Sequence, residues 1–247
     1  MVNNAEKILP YNSDENKTVQ VERMFDEIAD HYDALNHTLS WGIDYGWRKK
    51  GILSLKDIAP EKILDIATGT GDLAIETYKL LNPSEITGID ISGRMLAIGR
   101  EKVRKIGLSE KIIFQKQDCS ALTFPDNWFD AATAAFGVRN FENLNQGLSE
   151  ILRVLKPGGK LMILELSVPE YFPMKQCYTL YSNRIIPCIG RFISKSKAAY
   201  RYLPQSVAAF PQGEKMCRIL TENGYRNVRY KKFTFGICTM YLAEKQR

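Results

Sequence analysis

Short apolar runs alternate with segments of helical periodicity through most of this 247-residue chain. Continuous apolar runs are typical of parallel strands buried on both faces, whereas apolar residues three and four positions apart indicate amphipathic helices. The predicted strands are 62–67, 86–90, 112–116, 128–136 and 160–166, and the helices between them are predicted to end near Leu81, Ile106 and Leu155. This alternation predicts an α/β fold with a mostly parallel sheet and helices on both faces.

The amino-terminal region precedes this alternation. Residues 1–17 are polar and are predicted to form a mobile leader, with residues 18–247 as a single domain. Apolar residues at helical spacing predict a helix from Thr18 onward. Segment 32–47 is rich in aromatic residues but lacks regular periodicity. It is expected to complete a cap, residues 18–50, over a flat apolar ligand, or else to pack the helix onto the sheet.

Residues 168–211 interrupt the alternation. Aromatic residues are interleaved there with Lys and Arg, and Glu170 is the only acidic residue. Such a segment is expected to cover an apolar substrate, to lie on a membrane interface, or to do both. Aromatic residues beside basic ones also suit single-stranded nucleic acid, but no recognised binding module accompanies them. Strands 228–233 and 237–243 then predict an antiparallel hairpin at the end of the chain.

The first strand leads into a glycine turn and then a helix, the arrangement that opens a nucleotide-binding βαβ unit. Gly69 and Gly71 have no Cβ atom, so the backbone can turn sharply and a ligand can approach its amide groups. Asp90 ends the second strand, where a carboxylate can accept hydrogen bonds from both hydroxyls of a ribose. This stretch therefore predicts a site for a ligand that contains a nucleoside.

The kind of nucleoside depends on Asp65. Gly69, Gly71 and Ala74 also satisfy the loose fingerprint of dinucleotide-binding proteins. A carboxylate on the strand before the loop would repel a pyrophosphate, but it suits a ligand that carries an ammonium group. S-adenosylmethionine has an ammonium group, a sulfonium and a ribose diol but no phosphate. It is therefore the favoured ligand, with NAD(P) as the alternative.

Polar residues also follow the third and fourth predicted strands. Asp118 and Cys119 lie just beyond the third, along the edge where small-molecule sites gather in open α/β sheets. Asp118 is a candidate to bind the exocyclic amine of adenine, with the capping of a turn as the alternative. Arg139 and Asn140 follow the fourth strand, where they are poor core residues. A role in the site is expected for both.

Charge is divided unevenly along the chain. Residues 1–168 contain 20 Lys and Arg against 24 Asp and Glu, net −4, whereas residues 169–247 contain 14 against 4, net +10. A basic carboxyl-terminal third indicates an anionic surface as partner, either membrane or nucleic acid, or simply a solvated basic face.

Cysteine and histidine usage excludes several classes of site. The 5 cysteines show no C-x-x-C spacing, which favours a reducing compartment, and 2 histidines give little support for a metal site. No apolar run approaches the roughly 18 residues of a membrane span, and no signal peptide or transit peptide is recognisable. A cytoplasmic protein without a bound metal is expected.

Two stretches resemble one known family. Residues 153–167, RVLKPGGKLMILELS, fit throughout a signature of the ubiquinone/menaquinone biosynthesis C-methyltransferases (UbiE/MenG), and residues 136–140, FGVRN, are also family-like. Tyr32-Asp33 through Asn36, Leu39-Ser40 and Trp47 add to the resemblance, which covers about residues 18–247. It implies the class I fold of S-adenosylmethionine-dependent methyltransferases, a seven-stranded, mostly parallel sheet with helices on both faces and an antiparallel last strand.

The resemblance also implies which residues bind the cofactor. The family's positions fall on Thr70, Asp90, Asp118 and Cys119, beside Asp65, Gly69 and Gly71 from the argument above. There are departures as well. Leu35 and Asp44 stand where the family usually has Met and His, and Ala135 stands where many members have Ser, so those side chains cannot be required here.

The implied reaction is C-methylation of a polyprenylated hydroquinone, converting demethylmenaquinol to menaquinol. The alternatives are methylation of a methoxybenzoquinol in ubiquinone biosynthesis, or a nucleic-acid methyltransferase. We hypothesise that Arg139 and Asn140 hold the substrate oxygen and favour its phenolate, with His31 as a conceivable general base. Weak peripheral contact with an anionic membrane at the inner face of the cytoplasmic membrane is expected, nucleic acid is not, and a homo-oligomer is left open.

Overall fold

A computed structural model describes residues 4–182 and 197–247 and contains one seven-stranded sheet of order β3-β2-β1-β4-β5-β7-β6. The strands are β1 Lys62–Ile66, β2 Glu85–Asp90, β3 Ile112–Lys116, β4 Phe129–Ala135, β5 Leu155–Leu166, β6 Arg226–Phe233 and β7 Cys238–Glu244. β1 to β5 are parallel, whereas β7 runs antiparallel to both of its neighbours, β5 and β6. The predicted fold class, with its antiparallel last strand, is confirmed.

Helices cover both faces of the sheet. They are α1 Lys17–Ile28, α2 Tyr32–Ser40, α3 Ile43–Leu53, α4 Asp72–Leu81, α5 Gly93–Lys105, α6 Leu144–Val154, α7 Met174–Leu180, α8 Lys197–Ala209 and α9 Glu214–Glu222. Ile63 and Leu64 are consecutive in β1, so their side chains lie on opposite faces. Ile63 belongs to a cluster with residues of α3, α4 and α5, and Leu64 to one with residues of α6 and α9. The core therefore has two layers, one on each side of the sheet.

Side-chain caps fix where several helices begin. The Asn16 side chain accepts a hydrogen bond from the Val19 amide, and Ser92 and Asn143 do the same for the helices that follow them. Each cap satisfies an amide that has no partner within its helix. The cap predicted at Ser92 sets the start of α5 and hence the end of the loop after Asp90.

Segment 32–47, expected to be irregular, is instead α2 and the beginning of α3, separated by a turn in which Gly42 has φ +72°. The expectation was wrong because the buried face of α3 is largely not apolar. Its buried residues are Asp44, Trp47, Arg48, Gly51 and Ile52. These positions have helical spacing, but a search for apolar periodicity overlooks the charged residues and the glycine.

Residues 4–16 lie against the domain. Ala5 is buried in the same cluster as Leu64, and the Lys17 ammonium donates to the Ala5 carbonyl oxygen at 2.7 Å. The Glu6 carboxylate accepts a hydrogen bond from the Leu144 amide at 2.9 Å. The mobility of this leader and the domain boundary at residue 18 stay predictions.

Two parts of the predicted covering segment, residues 168–211, are described: the stretch through α7 to residue 182, and α8 onward. Residues 183–196, with Arg184, Arg191, Phe192 and Lys195, lie outside the described residues. In the part of the chain that the structure describes, no helix is both long enough and apolar enough to cross a membrane.

Candidate active site

The loop after β1 turns sharply at the carboxyl edge of the sheet. Ala67, Gly69 and Gly71 have φ values of +51°, +56° and +81°. A Cβ atom on Gly71 would lie 2.6 Å from Phe114 Cζ, so both the backbone conformation and the available space require glycine there. Phe114 thus fills the space beside Gly71, and the close approach of a ligand to the loop backbone stays a prediction.

A cavity of about 690 Å³ lies beside this loop; we call it the donor cavity. Its lining includes Gly69, Asp90, Asp118, Cys119 and Asn140. The loops after β1, β2, β3 and β4 all contribute, because the carboxyl ends of parallel strands meet at one edge. The structure therefore brings together five of the nine predicted site residues in one cavity.

Asp90 joins the glycine loop to the second strand. One carboxylate oxygen accepts a hydrogen bond from the Gly69 amide at 2.8 Å, and the other accepts one from the Ser92 amide at 2.9 Å. Burial raises the pKa of Asp90 to about 6, although these amides oppose the shift. Each oxygen keeps a further lone pair, which suits the ribose diol of the predicted ligand.

Asp118 caps a turn, and its contact with the exocyclic amine of adenine stays a prediction. One of its oxygens accepts a hydrogen bond from the Ser120 amide at 2.8 Å and so caps a turn, and the residue also lines the donor cavity. Cys119 lies beside it, with a thiol whose pKa burial raises well above the usual range. A raised pKa favours the neutral thiol, and the role of Cys119 in binding the cofactor stays a prediction.

Asp65 and Thr70 line a smaller adjoining cavity of about 370 Å³. The Asp65 carboxylate accepts hydrogen bonds from the hydroxyls of Thr68 at 2.6 Å and Thr133 at 2.7 Å. Burial raises the pKa of Asp65 to about 6, against the effect of these two hydroxyls. The contact with an ammonium group stays a prediction.

The Thr70 hydroxyl takes part in an ionic cluster that the sequence did not predict. It donates to Asp33 at 2.6 Å and accepts from the Lys102 ammonium at 3.1 Å. Lys102 also pairs with Asp33 at 2.5 Å and with Asp72 at 2.7 Å. The cluster joins α2, α4 and α5 around the loop, so it fixes the turn from outside the donor cavity.

A second large cavity, of about 1170 Å³, adjoins the first; we call it the acceptor cavity. Phe25, Tyr32 and Phe136 line both and form the wall between them. The remaining lining is mainly aromatic and apolar, and α7 and α8 of the predicted covering segment contribute Tyr178 and Tyr202. This shape and chemistry suit a flat apolar molecule placed next to the donor cavity.

The structure separates the two residues hypothesised to act on the substrate. Arg139 lines the acceptor cavity, whereas Asn140 lines the donor cavity. The Arg139 guanidinium donates to Glu165 at 2.6 Å and also to the Phe136 carbonyl oxygen. Its Nε atom is buried and has no hydrogen-bond partner among the described residues. Burying a donor in this state is costly unless a ligand satisfies it.

Two further residues of the acceptor cavity carry buried donors, and the sequence argument missed both. Arg48 pairs with Asp44 at 3.2 Å and Asp72 at 3.3 Å, but its Nε atom has no partner in the described chain. The Tyr202 hydroxyl is likewise buried without a described partner. The i, i+4 spacing of Asp44 and Arg48 would have revealed the pair, had α3 been predicted as a helix.

His31, the conceivable base, lies elsewhere. It is exposed at the end of the short helix Ala29–His31 and lines neither large cavity. Within residues 4–182 and 197–247, no group of three or more His, Cys, Asp or Glu is arranged to hold a metal ion.

Comparison with known proteins identifies the family. A model of the ubiE/COQ5 methyltransferase family matches residues 12–245. The chain belongs to the ubiE/COQ5 methyltransferase family. A relative in this family, the demethylmenaquinone methyltransferase of Bacteroides fragilis, is 56% identical over 240 residues, which cover 97% of this chain and 98% of that protein. The demethylmenaquinone methyltransferase of Porphyromonas gingivalis is 47% identical over 241 residues, with the same coverage.

Solved structures agree at the level of the fold. A SAM-dependent methyltransferase from Thermotoga maritima has a TM-score of 0.62 and 16% sequence identity, with coverage of 91% of this chain and 99% of that one. This ubiE/COQ5 family member is therefore an S-adenosylmethionine-dependent methyltransferase with the class I fold. The sequence-based choice of S-adenosylmethionine over NAD(P) is confirmed.

Proposed function

We propose that the protein methylates a ring carbon of demethylmenaquinol to give menaquinol. The observation that carries the proposal is the acceptor cavity, which shares a wall of three aromatic rings with the donor cavity and contains buried donors without described partners. A hydroquinone offers a flat apolar ring and two oxygens to such a cavity. The names of the Bacteroides and Porphyromonas relatives support the choice of acceptor.

The donor cavity fits S-adenosylmethionine in its chemistry. Asp90 provides a carboxylate for a diol, Asp118 one for an exocyclic amine, and the open backbone at Gly69 a close approach for the ligand. When bound, S-adenosylmethionine supplies a methyl group on a positively charged sulfur, which a carbon nucleophile accepts as neutral S-adenosylhomocysteine leaves. The protein's main task is to hold the two reactants in near-attack geometry, an effect worth on the order of 7–11 kcal/mol.

The acceptor cavity makes the ring carbon a better nucleophile. Arg139 and Arg48 are paired with carboxylates, but the Nε–H group of each has no described partner, and donation from these groups to a hydroquinone oxygen favours the phenolate over the phenol. Electron density from the phenolate oxygen then increases at the adjacent ring carbon. Formation of the carbon–carbon bond gives a neutral dienone, and the methylated carbon then loses its hydrogen as a proton while the oxygen regains one. The net release of one proton per turnover therefore corresponds to the ionisation of the phenol. The neighbouring Asp44 carboxylate, paired with Arg48, orients the guanidinium for this task.

The wall between the cavities excludes water from the reaction. Phe25 and Tyr32 pack edge to face with ring centroids 5.9 Å apart, and Trp47 packs against Phe136 at 6.3 Å. These contacts hold the rings in one arrangement, so that both reactants meet an apolar surface. An acceptor lodged there is shielded from solvent, which strengthens its interaction with the buried guanidinium groups.

The test is transfer of labelled methyl groups to two short-chain acceptors, a demethylated naphthoquinol and a methoxybenzoquinol. We expect label in the naphthoquinol alone, at a ring carbon as identified by mass spectrometry. Label in the benzoquinol alone would replace the proposed acceptor, and label on an oxygen would contradict C-methylation. A protein that binds S-adenosylhomocysteine but labels neither compound would refute the proposed function while leaving the donor site intact.

A further inference from the structure

Four large hydrophobic side chains are far more exposed than any others in the described chain. They are Trp41 at 85%, Phe172 at 81%, Phe235 at 78% and Tyr171 at 75%. The next most exposed large hydrophobic residue, Leu180, is 58% exposed. We call these four residues the aromatic rim. Large exposed hydrophobic groups that gather in one region mark an interaction surface.

The rim residues lie on three chain segments that are joined to one another. Trp41 is in the turn before α3, and the indole of Trp47 in α3 donates to the Thr234 hydroxyl at 2.8 Å. Thr234 directly precedes Phe235. This hydrogen bond therefore connects the segment of Trp41 to the segment of Phe235.

The third segment, which carries the other two rim residues, is tied to the same turn. The Lys232 ammonium pairs with Glu170 at 2.7 Å, immediately before Tyr171. The Ser167 hydroxyl donates to the Gly236 carbonyl oxygen at 2.8 Å. Two hydrogen bonds and an ion pair thus join the three segments that carry the rim residues, although these residues are almost 200 positions apart in sequence.

Two rim residues combine a strained backbone conformation with an exposed ring. Trp41 has φ +54° and Phe235 has φ +56°, in the left-handed region that bulky residues rarely adopt. Strain of this kind persists where function requires it. Neither ring is buried in return, so the strained turns present the rings to the surroundings instead of packing them.

The same segments border the acceptor cavity. Ser40, next to Trp41, lines this cavity, and so does Ile237, two residues after Phe235. Tyr178 in α7 lines it too and follows Phe172 along the third segment. A surface that contacted the rim would therefore meet the opening region of the acceptor cavity.

The charge around the rim is positive. The exposed lysines Lys49, Lys50, Lys175 and Lys231 lie on the three rim segments. Of the nearby acidic residues, Asp44 is paired with Arg48 and Glu170 with Lys232, while Glu76 lies close enough to Lys49 to interact with it. Exposed cations are consequently left over, and they complement an anionic surface.

We propose that the aromatic rim is a membrane-docking surface, which inserts its rings into the interfacial layer of an anionic bilayer and turns the acceptor cavity toward the lipid. Aromatic side chains prefer this layer, and lysines add attraction to anionic headgroups. The purpose of docking rests on the proposed function, because a prenylated acceptor would enter the cavity from the bilayer. The docking itself can be tested without any acceptor.

The first test uses tryptophan fluorescence with anionic vesicles of phosphatidylglycerol and phosphatidylcholine whose acyl chains are brominated. Trp128 is a matched control, because it is 40% exposed and lies at the opposite, amino edge of the sheet beside Lys62. We expect brominated lipid to quench the wild-type protein and the Trp128→Phe variant, but Trp41→Phe to lose the quenching. Quenching that disappears with Trp128→Phe and survives Trp41→Phe would overturn the proposal.

The second test measures methyl transfer to a long-chain acceptor in vesicles and to a short-chain acceptor in solution. The triple variant Trp41→Ser, Phe172→Ser, Phe235→Ser should lose at least tenfold of the vesicle rate while retaining the solution rate and S-adenosylhomocysteine binding. An unchanged vesicle rate would refute docking, as would a lipid-free wild-type dimer that the triple variant dissociates, since a second copy would then occupy the rim. Wild-type protein that docks but labels neither acceptor would refute the proposed function alone.

Discussion

At the residue scale, Arg139 is held by a buried ion pair with Glu165. Their N–O distance is 2.6 Å, and both side chains are almost completely buried. Removing one partner of a buried pair leaves an uncompensated charge, at a cost of about 3–5 kcal/mol. Any loss of activity in an Arg139 variant therefore has to be separated from loss of stability.

Replacing Arg139 with Ala should reduce kcat by about 10²–10³-fold, the effect of removing one preorganised donor, while the affinity for S-adenosylhomocysteine changes little. Steady-state kinetics and calorimetry measure the two quantities. The double variant Arg139→Ala, Glu165→Gln removes both charges and should be more stable than the single variant, but equally slow. An equal loss of affinity and turnover would show that Arg139 supports only the donor site.

The titration of Asp90 predicts a pH dependence. Its pKa is raised to about 6 by burial, and hydroxyl donors of the ligand require the ionised carboxylate. The affinity for S-adenosylhomocysteine should therefore be constant above pH 7 and fall as the pH drops through about 6, approaching tenfold per unit below it. Calorimetry across this range measures the effect.

The control is the Asp90→Asn variant, which cannot ionise at this position. It should bind weakly at pH 7 and show a smaller response to pH than wild type. Asp65, whose pKa is also raised to about 6, supplies the remaining response. If the wild-type affinity does not vary between pH 5 and 7, neither carboxylate is required in its ionised form.

At the element scale, the turn between β1 and α4 depends on Gly71. Gly71→Ala should lower the free energy of unfolding by about 1–2 kcal/mol for the left-handed backbone alone, and by more because its Cβ would overlap Phe114. Donor affinity should fall with it. Gly93→Ala is the matched control, because no atom lies within 4 Å of a Cβ there and φ is not positive. If urea unfolding gives equal stabilities for the two variants, the turn is not constrained as described.

Elements whose buried residues are apolar could be predicted from the sequence. Elements whose buried residues include charged side chains and glycine could not. β1 is buried from Ile63 to Ile66 and is apolar there apart from Asp65, and α5 has an obvious cap at Ser92. α3 instead buries Asp44 and Arg48 against each other, and it brings Gly51 within contact of Met162 in β5. Neither feature produces a periodic pattern of apolar residues, so the sequence does not indicate a helix in this segment.

The same limit applies to the site. Gly69, Asp90 and Asp118 could be placed in one cavity because each lies at or just beyond the carboxyl end of a predicted strand, and these ends share one edge. Arg48 and Tyr202 come from helices distant in sequence, and their meeting in the acceptor cavity depends on tertiary packing. Adjacent residues were also assumed to act together, whereas Arg139 and Asn140 line different cavities.

At the scale of the whole molecule, the two edges of the sheet carry different features. The carboxyl edge carries both large cavities, while the amino edge carries contacts such as Lys62 over the Trp128 ring at 3.7 Å. The molecule thus has a defined front, which the docking proposal orients toward lipid.

The wall made by Phe25, Tyr32 and Phe136 lines both the donor cavity and the acceptor cavity. Smaller side chains in this wall would make room for a bulkier quinol but would also remove contacts to the methyl donor. Larger side chains would reduce the space for both molecules. Substrate range and donor affinity are therefore bound to change together during evolution. Substitutions intended to broaden the range of quinol acceptors are therefore better placed at residues that line the acceptor cavity alone, such as Leu203 or Ile237, with the shared wall unchanged.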